Sequence, residues 1–185
     1  MNRPVCFFLL IIQGLAAASQ SDASKPSEKE LTLQGATMKG FEVAMDLPAS
    51  FAEKELWRQA KKVATVLQSD DYLSMKFDLE GGQTLVVYGL VTDVQDDLSH
   101  LSLVSESVGI DTHMRQMLMD LQLLISTNYL QRAIERNEGQ AAAISQRLSR
   151  TTEPSIANDL WKELSGLNEV LVALRTKQQK LLSRK

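Results

Sequence analysis

The stretch LQRAIERNEGQAAAISQRLSRTTEPSIANDLWKELSGLNEVLVALRTKQQKLL, Leu130 to Leu182, decides the architecture of this chain. Leu130, Ile134, Asn137, Ala141, Ile144 and Leu148 follow one another at alternating steps of four and three. That spacing keeps one seam of a helix facing a partner helix. Thr151-Thr152-Glu153-Pro154-Ser155 reads as a turn, and after it Ile156, Leu160, Leu164, Leu167, Leu171, Leu174, Gln178 and Leu181 repeat the same steps. A short turn between two such seams predicts an antiparallel, coiled-coil-like helical hairpin. Counting outward from the turn pairs Leu148 with Leu160, Ile144 with Leu164, Ala141 with Leu167, and Asn137 with Leu171. Gly139 lies off the seam, whose register continues across it. The first helix is therefore expected to run through, although glycine costs ~1 kcal/mol relative to alanine in a helix interior.

The second helix holds an apolar run, Val170-Leu171-Val172-Ala173-Leu174. Successive residues are about 100° apart round a helix, so this run points in every direction and one seam cannot bury all of it. Either the hairpin folds onto the rest of the chain or it meets another molecule. Val170 and Val172, nearer the preceding domain, are expected to lie against it. Trp161, near the tip, is the better contact for a partner. The candidate partner-binding residues are Trp161, Val170, Leu171, Val172 and Leu174.

Upstream the periodicity changes. In GFEVAMDL, Gly40 to Leu47, the residues Phe41, Val43, Met45 and Leu47 alternate with Glu42, Ala44 and Asp46, a strand with one buried face. Leu31-Thr32-Leu33-Gln34 is a short strand before it. Pro48 ends the strand, and Ser50 with Glu53 forms a capping box that opens a helix running to about Val66. Its apolar stripe is Leu56, Trp57, Ala60, Val63, Ala64 and Leu67, with Trp57 expected on the sheet. Leu73 to Leu79 alternates, Glu80-Gly81-Gly82-Gln83 turns the chain, and Thr84 to Val91 follows as an interior strand expected to be covered on both faces. After a polar loop, Thr92 to Asp97, comes a last strand, Leu98 to Glu106, with Leu101 and Leu103 inward. Met114, Met117, Leu118, Leu121, Leu124 and Ile125 then form one stripe of a helix capped by Asp111 or Thr112, left to cover the sheet. The fold class is α+β: a small antiparallel sheet with one covering helix, followed by a long antiparallel helical hairpin.

Composition agrees with a folded protein: 185 residues, 44% hydrophobic and 23% charged, with a net charge of −3 that argues against nucleic-acid binding. Arg3, the apolar run Val5 to Leu15 and Ala16-Ala17-Ala18 have the layout of a secretory signal peptide cleaved after Ala18. The apolar run is short for a membrane span, which needs ~20 residues. Cys6 stands at the start of that run, where a lipidated cysteine would follow it, and the remaining chain has no cysteine for disulfides. The expected organisation is a signal peptide at 1–18, a polar tether at 19–30, an α+β domain at 31–108 and the hairpin at 109–185. The expected destination is the periplasm or the medium, with no integral membrane span in the mature chain.

Chemistry is sparse. His100 and His113 with Asp111 lack the spacing of a metal site, and two surface histidines are the better reading. Asp93, Asp96 and Asp97 lack the pattern of a calcium loop and read as a solvated turn. Gly81-Gly82 precedes no helix that would hold a phosphate. Arg175, Lys177, Lys180, Arg184 and Lys185 complement a helix C-terminus better than they fit a membrane surface. No catalytic, metal or cofactor set is expected.

The layout of leader, KGFEVAMDLP (residues 39–48), capped helix, β-hairpin and C-terminal helix pair resembles that of a group of uncharacterised small exported bacterial proteins. The resemblance implies the architecture over most of the mature chain and no activity. The leading expectation is a non-enzymatic exported protein whose hairpin mediates self-association, as a homodimer, or binds an envelope protein. The alternative is a carrier for a small apolar ligand or lipid between sheet and helices, motivated by Met75, Met114, Met117 and Met119. An enzyme using Asp and His ranks third.

Overall fold

A computed structural model describes residues 25–183 apart from 34, 80, 81 and 108. The signal-peptide assignment, and the tether up to residue 24, lie outside the described residues. Strands β1 (Ser27–Leu33) and β2 (Ala36–Met45) form a hairpin, and helix α1 (Ala49–Ala60) follows. Strands β3 (Thr65–Gln68), β4 (Leu73–Asp78), β5 (Thr84–Gln95) and β6 (Leu98–Ser105) come next, then helices α2 (Asp111–Leu148) and α3 (Pro154–Leu182). The six strands form one sheet in the order β1-β2-β6-β5-β4-β3. Every neighbouring pair is antiparallel. After β2, α1 carries the chain across the sheet, and the β3–β6 meander returns to lie beside β2. The fold is α+β, with its helices on one face and a packed helical hairpin at its C-terminus.

Alternation places the core where the sequence indicated. Phe41, Val43, Met45, Leu73, Met75, Leu101 and Leu103 are buried beneath Leu56 of α1 and Met114, Leu118 and Ile125 of α2. Each fully buried side chain of this kind contributes ~1.5–3 kcal/mol relative to exposure. The hairpin has its own core of Leu130, Ile134, Leu171 and Leu174. Asn137, the polar residue in the seam, donates its amide to the Ala133 carbonyl at 2.8 Å, so the half-buried group is satisfied within its own helix. Helix α2 is continuous through Gly139, where a Cβ would meet nothing within 4 Å.

Several elements differ from expectation. Ser27 to Glu30, read as tether, belong to β1, paired with Lys39 to Glu42. Helix α1 begins at Ala49 with Pro48 as its N-cap and no side-chain cap, so Ser50 and Glu53 lie inside the helix. It ends at Ala60, where the Ala64 N–H closes back on the Ala60 carbonyl at 2.9 Å. The residues beyond include Val63, Thr65 and Val66, whose β-branched side chains lose χ1 freedom in a helix and fit a strand. The buried face of α1 is Ala52, Glu55, Leu56 and Ala60; Trp57 is 39% exposed, with Lys61 Nζ 4.1 Å from its ring centre. The expected loop at 92–97 is mostly strand, because β5 and β6 run on to a tight turn at Asp96-Asp97. β5 is not covered on both faces: Val86, Tyr88 and Leu90 are half-buried on the face without helices.

At Gly40 the backbone of β6 comes too close to leave room for a side chain. A Cβ there would overlap the Leu103 carbonyl oxygen of β6, which is backbone and cannot turn aside. Gly40→Ala is expected to destabilise the protein by about 2–4 kcal/mol, as overpacking and strain do. Gly139→Ala is expected to stabilise it by about 0.5–1 kcal/mol, because the helix gains propensity at an open position. Urea unfolding midpoints measure both, and their opposite signs separate a packed glycine from an incidental one.

Candidate functional site

The hairpin is the element whose surface the domain does not consume. In α2 the residues packed on the sheet are Met114, Leu118 and Ile125, and the seam toward α3 begins at Leu130. The step from Ile125 to Leu130 is five residues, where the stripe had stepped by four and three. Five residues advance about 140° round a helix. The seam therefore leaves α2 on a different side from the Met114, Leu118 and Ile125 stripe, and α3 packs along that side. Across the hairpin Arg175 donates to Glu138 at 2.6 Å and Gln178 to Gln131 at 3.1 Å. Toward the α+β domain, Lys177 near the C-terminal end of α3 reaches Asp46 at 3.4 Å.

The candidate residues separate accordingly. Leu171 and Leu174 are buried in the hairpin's seam, and Val170 packs partly against the same cluster. Val172 does not lie against the domain; it is 63% exposed. Trp161 is 59% exposed. Val172 and Trp161 are eleven residues apart, about three turns, so they share one flank of α3 at ~16 Å separation. The residues between them on that flank are Ser165 and Asn168. Of the basic group, Arg175 and Lys177 are engaged in the ion pairs above.

The methionines do not converge on a cavity. Met75 and Met114 are buried in the main core, Met117 packs on its edge and Met119 is exposed. The space between sheet and helices is occupied by that core. A shallow hollow of about 400 Å³ lies on the outer side of α2, lined by His113, Gln116, Met117, Asp120, Leu121 and Leu124. His100 is on the helix-free face of the sheet and His113 on α2 over the other face, so the sheet stands between them. Among the described residues no group of three or more His, Cys, Asp or Glu side chains is arranged to hold a metal ion.

Two carboxylates carry more structure than their sequence positions implied. Glu55 is only 2% exposed. Its Oε1 accepts from Gln59 Nε2 at 2.8 Å and from Asn128 Nδ2 at 2.9 Å, and its Oε2 lies 3.1 Å from Arg58 and 3.5 Å from Arg132. α1 is thereby tied to α2 close to the point where the stripe changes side. The sequence signal was the spacing Ala52, Glu55, Leu56, Gln59, which puts a glutamate on the apolar face. On the helix-free face, Glu42 Oε2 pairs with Lys29 at 2.9 Å and accepts from Ser102 Oγ at 3.0 Å, while His100 Nδ1 lies 3.4 Å from Oε1. Burial pushes the Glu42 carboxyl upward, but Lys29, Ser102 and His100 together outweigh it, so its pKa lies below the ordinary value. These groups come from three strands, and pairing alone assembles them.

No protein-family model matches the chain, and no curated protein is similar to it. Among solved structures, CalU16 from Micromonospora echinospora is similar at 11% identity and a TM-score of 0.30, over 78% of this chain and 98% of that one. A likeness this low carries nothing over to this chain.

Glu55→Ala is expected to cost about 1–3 kcal/mol by leaving Asn128 and Gln59 without their acceptor, whereas Lys162→Ala, at an exposed pair, changes stability by less than about 0.5 kcal/mol. Chemical unfolding reads the difference. Glu42→Gln tests the lowered pKa. A depressed carboxylate stabilises the fold above its unfolded value, and that stabilisation is lost as pH falls through the folded value. The variant should be less stable than wild type at pH 7, with the gap closing as the solution is acidified below the ordinary glutamate range. An unfolding series against pH shows whether it closes.

Proposed function

We propose that this is an exported, non-enzymatic protein whose projecting hairpin binds a protein of the cell envelope through the Trp161–Val172 flank. The observation that carries the reading is the placement of two large apolar side chains, well exposed, on one flank of α3. A tryptophan near the tip of such a helix has the size and amphipathic character that anchor protein contacts. The leader-like layout of residues 1–18 supports export. The absence of an expected catalytic motif, and the use of Glu42 and Glu55 in cross-element contacts, support a binding role over a chemical one.

A photo-crosslinking residue at 161 or 172 is expected to give one discrete adduct in cells, while the same residue at Lys54, on the outer side of α1, gives none. Trp161→Glu with Val172→Glu should remove the interaction and leave stability within about 0.5 kcal/mol per site, as exposed substitutions do. Adducts of equal strength at all three positions, or none at 161 and 172, would overturn the reading.

A further inference from the structure

α3 carries two seams. The first, where Leu160, Leu171 and Leu174 are buried, faces α2. The second is Trp161, Ser165, Asn168 and Val172, which follow one another at steps of four, three and four and are all exposed. At 100° per residue they gather roughly 120° round the helix from the buried leucines. Steps of this kind keep one helix lying along another. α3 is a single helix from Pro154 to Leu182, so the helix itself sets these spacings.

The second seam is symmetric about its middle, between Gly166 and Leu167. Trp161 stands five residues before Gly166 and Val172 five after Leu167, while Ser165 and Asn168 adjoin the middle on either side. Along its edge, on the side turned away from α2, run Lys162 and Glu169, both exposed and two turns apart. Lys162 lies 4.0 Å from Asp159 of the same helix, with both side chains largely in solvent. A pair of that kind contributes little and yields readily to another partner.

We propose that the partner of this flank is a second exported copy of this chain, its α3 packed antiparallel on this one about a two-fold axis level with Gly166 and Leu167. This rests on the reading of the flank as a binding surface and names what it binds. In that register Trp161 of each copy covers Val172 of the other, and Ser165 lies opposite Asn168, a hydroxyl against an amide. Lys162 of each copy stands beside Glu169 of the other, offset by about 3 Å along the helix, within reach of two long side chains. The apolar pair and the charges select this register independently. Sliding one copy by seven residues sets Glu169 against Glu169 in one direction and Lys162 against Lys162 in the other, and either move parts Trp161 from Val172. A parallel pair puts the two Lys162–Glu169 edges on opposite sides of the contact, where they do not meet. One helix supplies both members of each pair, and that is why the occupant is another copy. The α+β domain adjoins the C-terminal end of α3, where Lys177 reaches Asp46, so the two domains stand at opposite ends of the contact.

The experiment is the mass of the purified protein by sedimentation equilibrium across a dilution series, together with the mass of the adduct that a photo-crosslinking residue at 161 forms in cells. Wild type is expected to be a reversible dimer, and the adduct to have the mass of two chains. Lys162→Glu and Glu169→Lys should each weaken the dimer about tenfold, since like charges then meet at both ends of the seam. An equimolar mixture of the two should recover the dimer, because every glutamate then faces a lysine. Trp161→Glu, at a side chain already in solvent, should be monomeric with an unchanged circular dichroism spectrum. Lys54→Glu, on α1, should dimerise like wild type. A wild type that stays monomeric throughout would overturn the proposal. So would charge variants that dimerise like wild type, a mixture of the two that stays monomeric, or a dimer lost in Lys54→Glu. An adduct holding a different protein would overturn it too and leave the binding flank standing, whereas no adduct at 161 or 172 would overturn both.

Discussion

The fold depends on one helix serving two cores. α2 buries Met114, Leu118 and Ile125 on the sheet with its first half, and Leu130 and Ile134 on α3 with its second. Because it is unbroken from Asp111 to Leu148, the two burials are rigidly coupled. Wherever the sheet fixes the first stripe, the direction of the hairpin follows. The five-residue step between Ile125 and Leu130 then sets the seam for α3 on a different side of α2 from the stripe that covers the core.

The buried Glu55 cluster stands close to that change of side. Glu55 reaches from α1 to Asn128 and Arg132 on α2, so the residues joining the two stripes are held from the domain side. Phe51 of α1 and Tyr129 of α2 meet edge to face at 5.1 Å in the same region. A carboxylate withdrawn from water is tolerated here because both oxygens are hydrogen-bonded and two guanidinium groups lie beside it. Its geometry specifies how two helices sit.

Some of the sequence readings missed through phase and others through propensity. The hairpin is legible because its seams are long, and each seam residue supports its neighbours. The two stripes of α2, and the step between them, are equally visible in the sequence. α1 was read too long because Val63, Ala64 and Leu67 also satisfy helical spacing, and a four-residue edge strand carries too few residues to show its own period. By sequence the apolar stripe of α1 includes Trp57, which points it to the sheet, whereas Glu55, the smaller and charged residue, takes the buried position with partners from another helix. The Glu42 cluster joins residues from β1, β2 and β6, and the sequence shows none of those pairings.

By itself the sequence determined the elements and their amphipathic faces: alternating strands, a seamed hairpin, and an apolar run too wide for one seam. These are local properties, set by periods of two and of three to four along a single stretch of chain. Only the tertiary structure decided strand order, which strands form the edges of the sheet, which side of α2 takes α3, and which carboxylates are buried. Those depend on contacts between residues far apart in the chain. Side-chain periodicity shows which face of an element is apolar, but not what that face will meet.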